Sequence, residues 1–144
     1  MKVADILKSK GASVVTMRPE SPITSVIQRL RLERIGAVVI SSDGETIQGI
    51  VSERDIVYAL GERGAELLTL RASDIMSRDV VTCAPDDQIR QVMARMTHRR
   101  VRHVPVLESG RLAGIVSIGD VVKNRLEEVE MEATVLRDAY MAVR

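Results

Sequence analysis

The chain of 144 residues has no Phe, no Trp and only two Tyr, Tyr58 and Tyr140. A core without rings has to be built from Val, Ile, Leu, Met and Ala. A flat ligand bound here lies between aliphatic side chains, and the stacking platform used by single-stranded nucleic acids is missing. The single cysteine, Cys83, excludes an internal disulfide, and with two histidines it is too little for a zinc site. A bias to one sign of charge is also absent. There are 21 basic and 20 acidic side chains, net +1, against the overall basic bias of many nucleic-acid binders. No apolar run approaches the length that spans a bilayer. The opening MKVADILKSKGAS has no long apolar stretch and no small-residue cleavage site. These absences predict a cytoplasmic globular protein without membrane attachment. No nucleophile–base pair, metal cluster or Gly-rich phosphate loop stands out, so the reading is not an enzyme.

What the chain does contain is one unit written twice. VVTMRPESPITSVIQRL (14–30) aligns without gaps to VVTCAPDDQIRQVMARM (80–96). RIGAVVISSDG then matches RVRHVPVLESG, and GIVSERDIV (49–57) matches GIVSIGDVV (114–122). Even KVADIL (2–7) has an echo in RASDIM (71–76). Each unit reads as strand, helix, strand, strand, helix. Val14 and Val15 predict a short first strand ending at a Pro-containing turn. Ile23, Val26, Ile27 and Leu30 recur on one helical face, as do Ile89, Val92, Met93 and Met96. AVVI and IQGIV flank a turn centred on Asp43-Gly44. RDIVYAL is the second helix, with Gly61 as its stop.

The expected fold is therefore α/β of the mixed α+β kind: two β-α-β-β-α units packed as a pseudo-twofold domain, because units this small bury too little surface alone. The divisions are residues 1–66, 67–125 and a helical extension at 126–144. Along that extension Val122, Leu126, Val129, Ala133 and Leu136 follow a helical spacing. It reads as a helix docking along a partner face or, more simply, back on its own body.

The repeated junction has two readings. Ser52 with Asp55, and Ser117 with Asp120, fit a capping box, in which the Ser takes a backbone N–H and the acid reaches back. The same geometry presents free N–H groups and a positive dipole end to an anion, with a carboxylate able to take both hydroxyls of a ribose. Thr16 and Thr82, ending the first strands, can bring hydroxyls to the same crevices. Duplication alone does not decide, since it copies caps as faithfully as sites. ARMTHRRVRH crowds Arg95, Arg99, Arg100 and Arg102 with His98 and His103. Arginine suits phosphate through its planar, bidentate fork, but cations at a helix end also complement its dipole. Cys83 corresponds to Met17 in the other unit, which argues for a buried small residue and against a nucleophile.

Taken together, the ordered motifs over residues 1–125 resemble a pair of CBS domains, named for the cystathionine β-synthase regulatory region, in the form of a small stand-alone bacterial protein. The resemblance implies a regulatory, energy-sensing protein that binds an adenosine-containing ligand: AMP or NAD(H) first, then ATP or ADP, with S-adenosylmethionine also used in the family. It implies that Asp55 and Asp120 hold ribose diols, Thr16 and Thr82 touch ribose or adenine, and Ser52 and Ser117 sit near ribose or phosphate. The backbone at Gly36, Ala37 and Val38, and at Arg102, His103 and Val104, runs along each adenine edge. Arg54 and Arg100 join as phosphate contacts. It further implies a homodimer and a separate regulated protein. The rival readings are a structural interaction module whose junctions are caps only and, more remotely, nucleic-acid binding through the 99–102 patch.

Overall fold

The computed structural model describes residues 1–143. Ile23, Val26 and Leu30 are buried along one face of α2 (Ile23–Glu33), and Ile89, Val92 and Met96 along α5 (Ile89–Arg99), as their spacing predicts. Both helices end on an arginine in the left-handed conformation, Arg34 at φ 54° and Arg100 at φ 55°. In the first half β2 (Ala37–Ile40) lies between β1 (Thr16–Met17), to which it is parallel, and β3 (Gly49–Ser52), to which it is antiparallel. In the second half β4 (His103–Glu108) and β5 (Arg111–Ser117) form a hairpin. Its turn residues Ser109 and Gly110 both have positive φ, the geometry that matches strand twist. The helices after the hairpins are α3 (Glu53–Arg63) and the 26-residue α6 (Ile118–Val143).

Three expectations are corrected. The first strand is Thr16–Met17 rather than Val14 and Val15. In the second half it shrinks to a single parallel bridge, Cys83 with Val106, because residues 77–81 cross between the halves before joining a sheet. The stop of α3 is Gly64, at φ 58°, not Gly61. The chain turns where the left-handed conformation is needed, and Gly61 is an ordinary helical residue. The end of α6 does not fold back: Leu126, Val129 and Leu136 are exposed.

The two cores do not follow the order of the chain. α1 (Val3–Lys10) gives Val3 and Ile6 to a cluster with Cys83, Ile89, Val92, Met96 and the buried valines of β4 and β5. The short α4 (Ala72–Ile75) and Met76 belong instead to the cluster of Ile23, Val26, Leu30, Val38, Ile40 and Val51. The helix preceding each repeat thus packs on the other repeat. Backbone bonds repeat the exchange. Val3 N donates to the Asp87 carbonyl and Ile89 N to that of Met1, while Ala72 N donates to that of Ser21 and Ile23 N to that of Leu70. KVADIL and RASDIM are the same device used twice.

Candidate functional site

Each second helix starts directly from a strand, and each start is tied down the same way. The Asp55 carboxylate accepts the Ser52 N–H at 2.8 Å and the Ser52 hydroxyl at 2.9 Å. The Asp55 N–H returns to Ser52 Oγ at 3.3 Å. At α6 the Asp120 carboxylate accepts the Ser117 N–H at 2.9 Å and the Asp120 N–H donates to Ser117 Oγ at 3.2 Å. Both capping boxes are made. The main chain of the other hairpin strand closes each start, Glu53 N donating to the Gly36 carbonyl and Ile118 N to that of Arg102.

Beyond the caps the two junctions differ. At the first, the bonds above use Oδ2 of Asp55, and its Oδ1 takes a long 3.4 Å bond from the Ser77 hydroxyl. A cleft of about 340 Å³ opens beside it. One wall is Gly36, Ser52, Glu53, Arg54 and Asp55, and the opposite wall is Arg100, Val101, Arg102 and His103. Ser77, Asp79, Val80 and Val81 run between them, with Ile50 behind. Arg54 spans the two walls, its Nη1 donating to the Arg100 carbonyl at 3.2 Å. At the second junction Lys10 reaches in from the end of α1. Its ammonium donates to Asp120 at 2.6 Å and to the Ile115 carbonyl at 3.0 Å. The lengths of the exchanged helices explain the difference. α4 stops after four residues, and the extended chain at Ser77 pairs with Ile50. α1 runs for eight and delivers a lysine side chain to the corresponding place.

The electrostatics follow this geometry. Burial works against the charge on Asp120, but the hydrogen bonds from Lys10 and Ser117, with the lysine's charge, outweigh it and hold the carboxyl below its usual value. Burial pushes His103 below the usual imidazole value, with Lys10 and Arg102 acting the same way against Glu53 and Asp120. Its imidazole lies so close to Gly36 that a Cβ there would stand 2.8 Å from Nε2, so a larger residue at this position would force the His103 ring to shift. The Cys83 thiol is pushed up to about 12, first by burial and then by Asp87, which fits an inert core residue. Among the described residues no group of three or more His, Cys, Asp or Glu side chains could hold a metal ion.

Seven of the anticipated residues thus line one cleft: Gly36, Ser52, Arg54, Asp55, Arg100, Arg102 and His103. Ser117 and Asp120 stand at the other junction, with Lys10. Val38 and Val104 point into the cores, and Ala37 is buried on the other face of β2, outside both core clusters. Thr16 is half-buried in β1 opposite Val39, and Thr82 is half-buried with its carbonyl taking a bond from Arg95. Neither threonine is among the cleft residues. Two of the clustered arginines are engaged elsewhere, Arg95 with Asp87 at 2.8 Å and Arg99 with Asp79 at 2.6 Å. Sequence reasoning missed Ile50, Glu53, Ser77, Asp79, Val80, Val81 and Val101. The signal lay in the repeat itself, since the segment joining two units of a pseudo-twofold has to cross its seam.

The fold and the cleft define a duplicated α/β module whose open cleft lies where its two halves meet. The family model described as CBS domain matches residues 3–62 and 72–127, and the chain belongs to that family. A CBS-domain containing protein from Agrobacterium tumefaciens is 46% identical, with a TM-score of 0.84 over 87% of this chain and 99% of that one. The CBS domain pair of protein MJ0100, solved in complex with 5′-methylthioadenosine and S-adenosyl-L-methionine, is 25% identical, with a TM-score of 0.78 over 89% of this chain and 98% of that one. The mitochondrial CBS domain-containing protein CBSX3 of Arabidopsis thaliana is 29% identical over 134 residues, 88% of this chain. The chain spans 65%, 57% and 39% of the lengths of the first curated relatives it matches. No described helix is long and apolar enough to cross a membrane.

Proposed function

We propose that the chain is a regulatory module that binds an adenosine-containing ligand in the cleft beside Asp55. The observation that carries this reading is the two-sided use of that residue. One carboxylate oxygen closes the helix cap, and the other meets only a 3.4 Å hydroxyl at the edge of a 340 Å³ cleft. A ribose diol offers two hydroxyl donors to such an oxygen. Arg54, Arg100 and Arg102 stand ready for phosphate, and the aliphatic walls of Ile50, Val80, Val81 and Val101 take the base in place of rings. The complex of the MJ0100 domain pair with 5′-methylthioadenosine and S-adenosyl-L-methionine supports the ligand class. The cleft is at the lower end of the roughly 300–1,000 Å³ range of small-molecule sites. That ranks a mononucleotide, AMP, ahead of NAD(H), with ADP and ATP between them. The module acts without chemistry of its own, in the cytoplasm, where adenine nucleotides report energy state, and passes the signal to a separate protein.

The ligand touches both halves, so it can bias their relative placement only by binding one arrangement better than another. At about a hundredfold excess over its dissociation constant the bound form gains roughly 2.7 kcal/mol. The test is calorimetry of the purified protein with AMP, ADP, ATP, NAD, NADH and S-adenosylmethionine. Binding of at least one is expected, with Asp55→Ala weakening it tenfold or more while the protein stays folded. Flat traces for all six from folded, ligand-free protein would remove the proposal. The second reading, an interaction module, is favoured by the completed caps at both junctions. On that reading Asp55→Ala costs about 1 kcal/mol of stability and has no ligand effect to lose.

A further inference from the structure

Ser77 hangs from the same strand as the carboxylate it faces. Met76 ends α4 and is buried in the first core. The next residue lies against β3, where Ser77 N donates to the Ile50 carbonyl at 2.9 Å and Ile50 N donates to the Ser77 carbonyl at 3.0 Å. Two residues further along β3, the Ser52 N–H and hydroxyl both donate to Asp55 Oδ2. One strand thus places both partners, Ser77 through Ile50 and Asp55 through Ser52. Their remaining atoms meet at the cleft, with Ser77 Oγ 3.4 Å from Asp55 Oδ1. Such placement by main-chain bonds is made before any ligand arrives, which lowers the ordering cost of binding.

Lone-pair accounting decides what this pair can hold. A carboxylate oxygen offers two acceptor positions, and a hydroxyl offers one proton and two acceptor positions. Oδ2 of Asp55 is filled by the two Ser52 donors. Oδ1 takes the Ser77 proton and keeps one position. A vicinal diol brings two donors on neighbouring carbons, so its second hydroxyl needs an acceptor beside Oδ1. Ser77 Oγ is that acceptor: among the described residues no donor is bound to it. The second junction has no such pair. In the echo of KVADIL by RASDIM, Ser77 corresponds to Lys8, which continues α1 as an exposed residue. The Ile115 carbonyl, which corresponds to that of Ile50, takes the Lys10 ammonium instead.

We propose that Ser77 is a second ribose contact and a specificity determinant of the cleft: Asp55 Oδ1 accepts one ribose hydroxyl, Ser77 Oγ accepts the other, and the site selects ribonucleotides over their deoxy analogues. This rests on the reading of the cleft as an adenosine site. The probes are AMP, 2′-deoxy-AMP and 3′-deoxy-AMP, titrated calorimetrically into the wild type and Ser77→Ala. A site that hydrogen-bonds a hydroxyl rejects the analogue lacking it. In the wild type the analogue that loses the bond to the carboxylate should bind about tenfold or more weaker than AMP, and the one that loses the bond to the serine about three- to tenfold weaker, since bonds to charged groups are the stronger. Ser77→Ala should weaken AMP by the smaller of these factors. It should also reduce the smaller penalty to under about twofold and leave the larger one in place, the coupling expected when both changes remove one contact. Ser77 is exposed and its bridge to Ile50 is made by the main chain, so the variant should keep the wild-type circular dichroism. A wild type indifferent to both deoxy changes would overturn the role of Ser77 while AMP binding left the cleft reading standing. So would a Ser77→Ala protein that keeps both penalties, loses both, or weakens all three probes equally. A wild type that does not bind AMP would overturn this inference together with the reading beneath it.

Discussion

Lys10 distinguishes two junctions that the sequence writes alike. Its ammonium lies on the carboxylate that corresponds to Asp55. A ligand hydroxyl arriving at Asp120 meets a carboxylate whose charge an ammonium at 2.6 Å already offsets, whereas at Asp55 it meets one with no cation on it and a weak bond from Ser77 on Oδ1. We therefore expect one adenosine ligand per chain from calorimetric stoichiometry. Lys10→Met should add a second, weaker equivalent, and a wild-type protein that already takes two would contradict this assignment of Lys10. The same pair contributes to pH dependence. The Asp120 carboxyl titrates below its ordinary value in the folded chain, so its contribution is complete above the usual carboxylate range. It is lost as pH falls through the lower, folded value. Both side chains are partly exposed, at 34% and 24%, which limits the contribution to about 1 kcal/mol or less. In Lys10→Met the urea midpoint should fall slightly at pH 7, and its further decline on acidification should be shallower than in the wild type.

At the scale of elements, what was legible was whatever the sequence states locally. The helical faces of Ile23–Val26–Leu30 and Ile89–Val92–Met96 and both capping boxes follow from spacing and residue type, and all are present. Which half covers which face was not legible. The echo of KVADIL in RASDIM marks the two segments as equivalent but is silent on their neighbours, so the exchange of α1 and α4 escaped. The cleft was legible on its Ser52–Asp55 and Arg100–His103 walls, which carry motifs. It was not legible at Ser77, Asp79, Val80 and Val81, where the chain merely passes between halves. Glycine carries the clearest test of the exchange. A Cβ on Gly114 would stand 2.7 Å from Leu7 Cδ2, and one on Gly49 would stand 2.6 Å from Met76 Sδ and 3.0 Å from the Ser77 carbonyl. Each glycine therefore lets the other half's helix approach its strand. Gly114→Ala should cost about 1–3 kcal/mol, and less when Leu7→Ala has already made room, a coupling that urea unfolding of the double-mutant cycle reads directly. Relief of Gly49→Ala by Met76→Ala should be smaller, because the Ser77 backbone stays where it is.

At the scale of the whole molecule, two cores in one short chain raise the question of whether they are two folding units. The exchange argues that they are one. The first core is incomplete without Ala72 and Met76, which lie past its own last helix in the chain, and the second is incomplete without Val3 and Ile6, which lie before everything else. Opening the second half uncovers α1, and α1 is tethered to β1 of the first half. Opening the first uncovers α4, which leads straight into the second. A loss in either core should therefore be felt in both. Val92→Ala removes buried methyls from the second core and should cost about 2 kcal/mol. Native-state hydrogen exchange then reads where that loss appears. If the halves open together, the amides of Val39 and Ile40, buried in β2 of the first half, should lose the same protection free energy as those in β4 and β5. Loss confined to β4 and β5 would mean two independent domains. On the proposed function, a ligand held between Asp55 on one wall and His103 on the other then stabilises both cores together, because neither opens without the other.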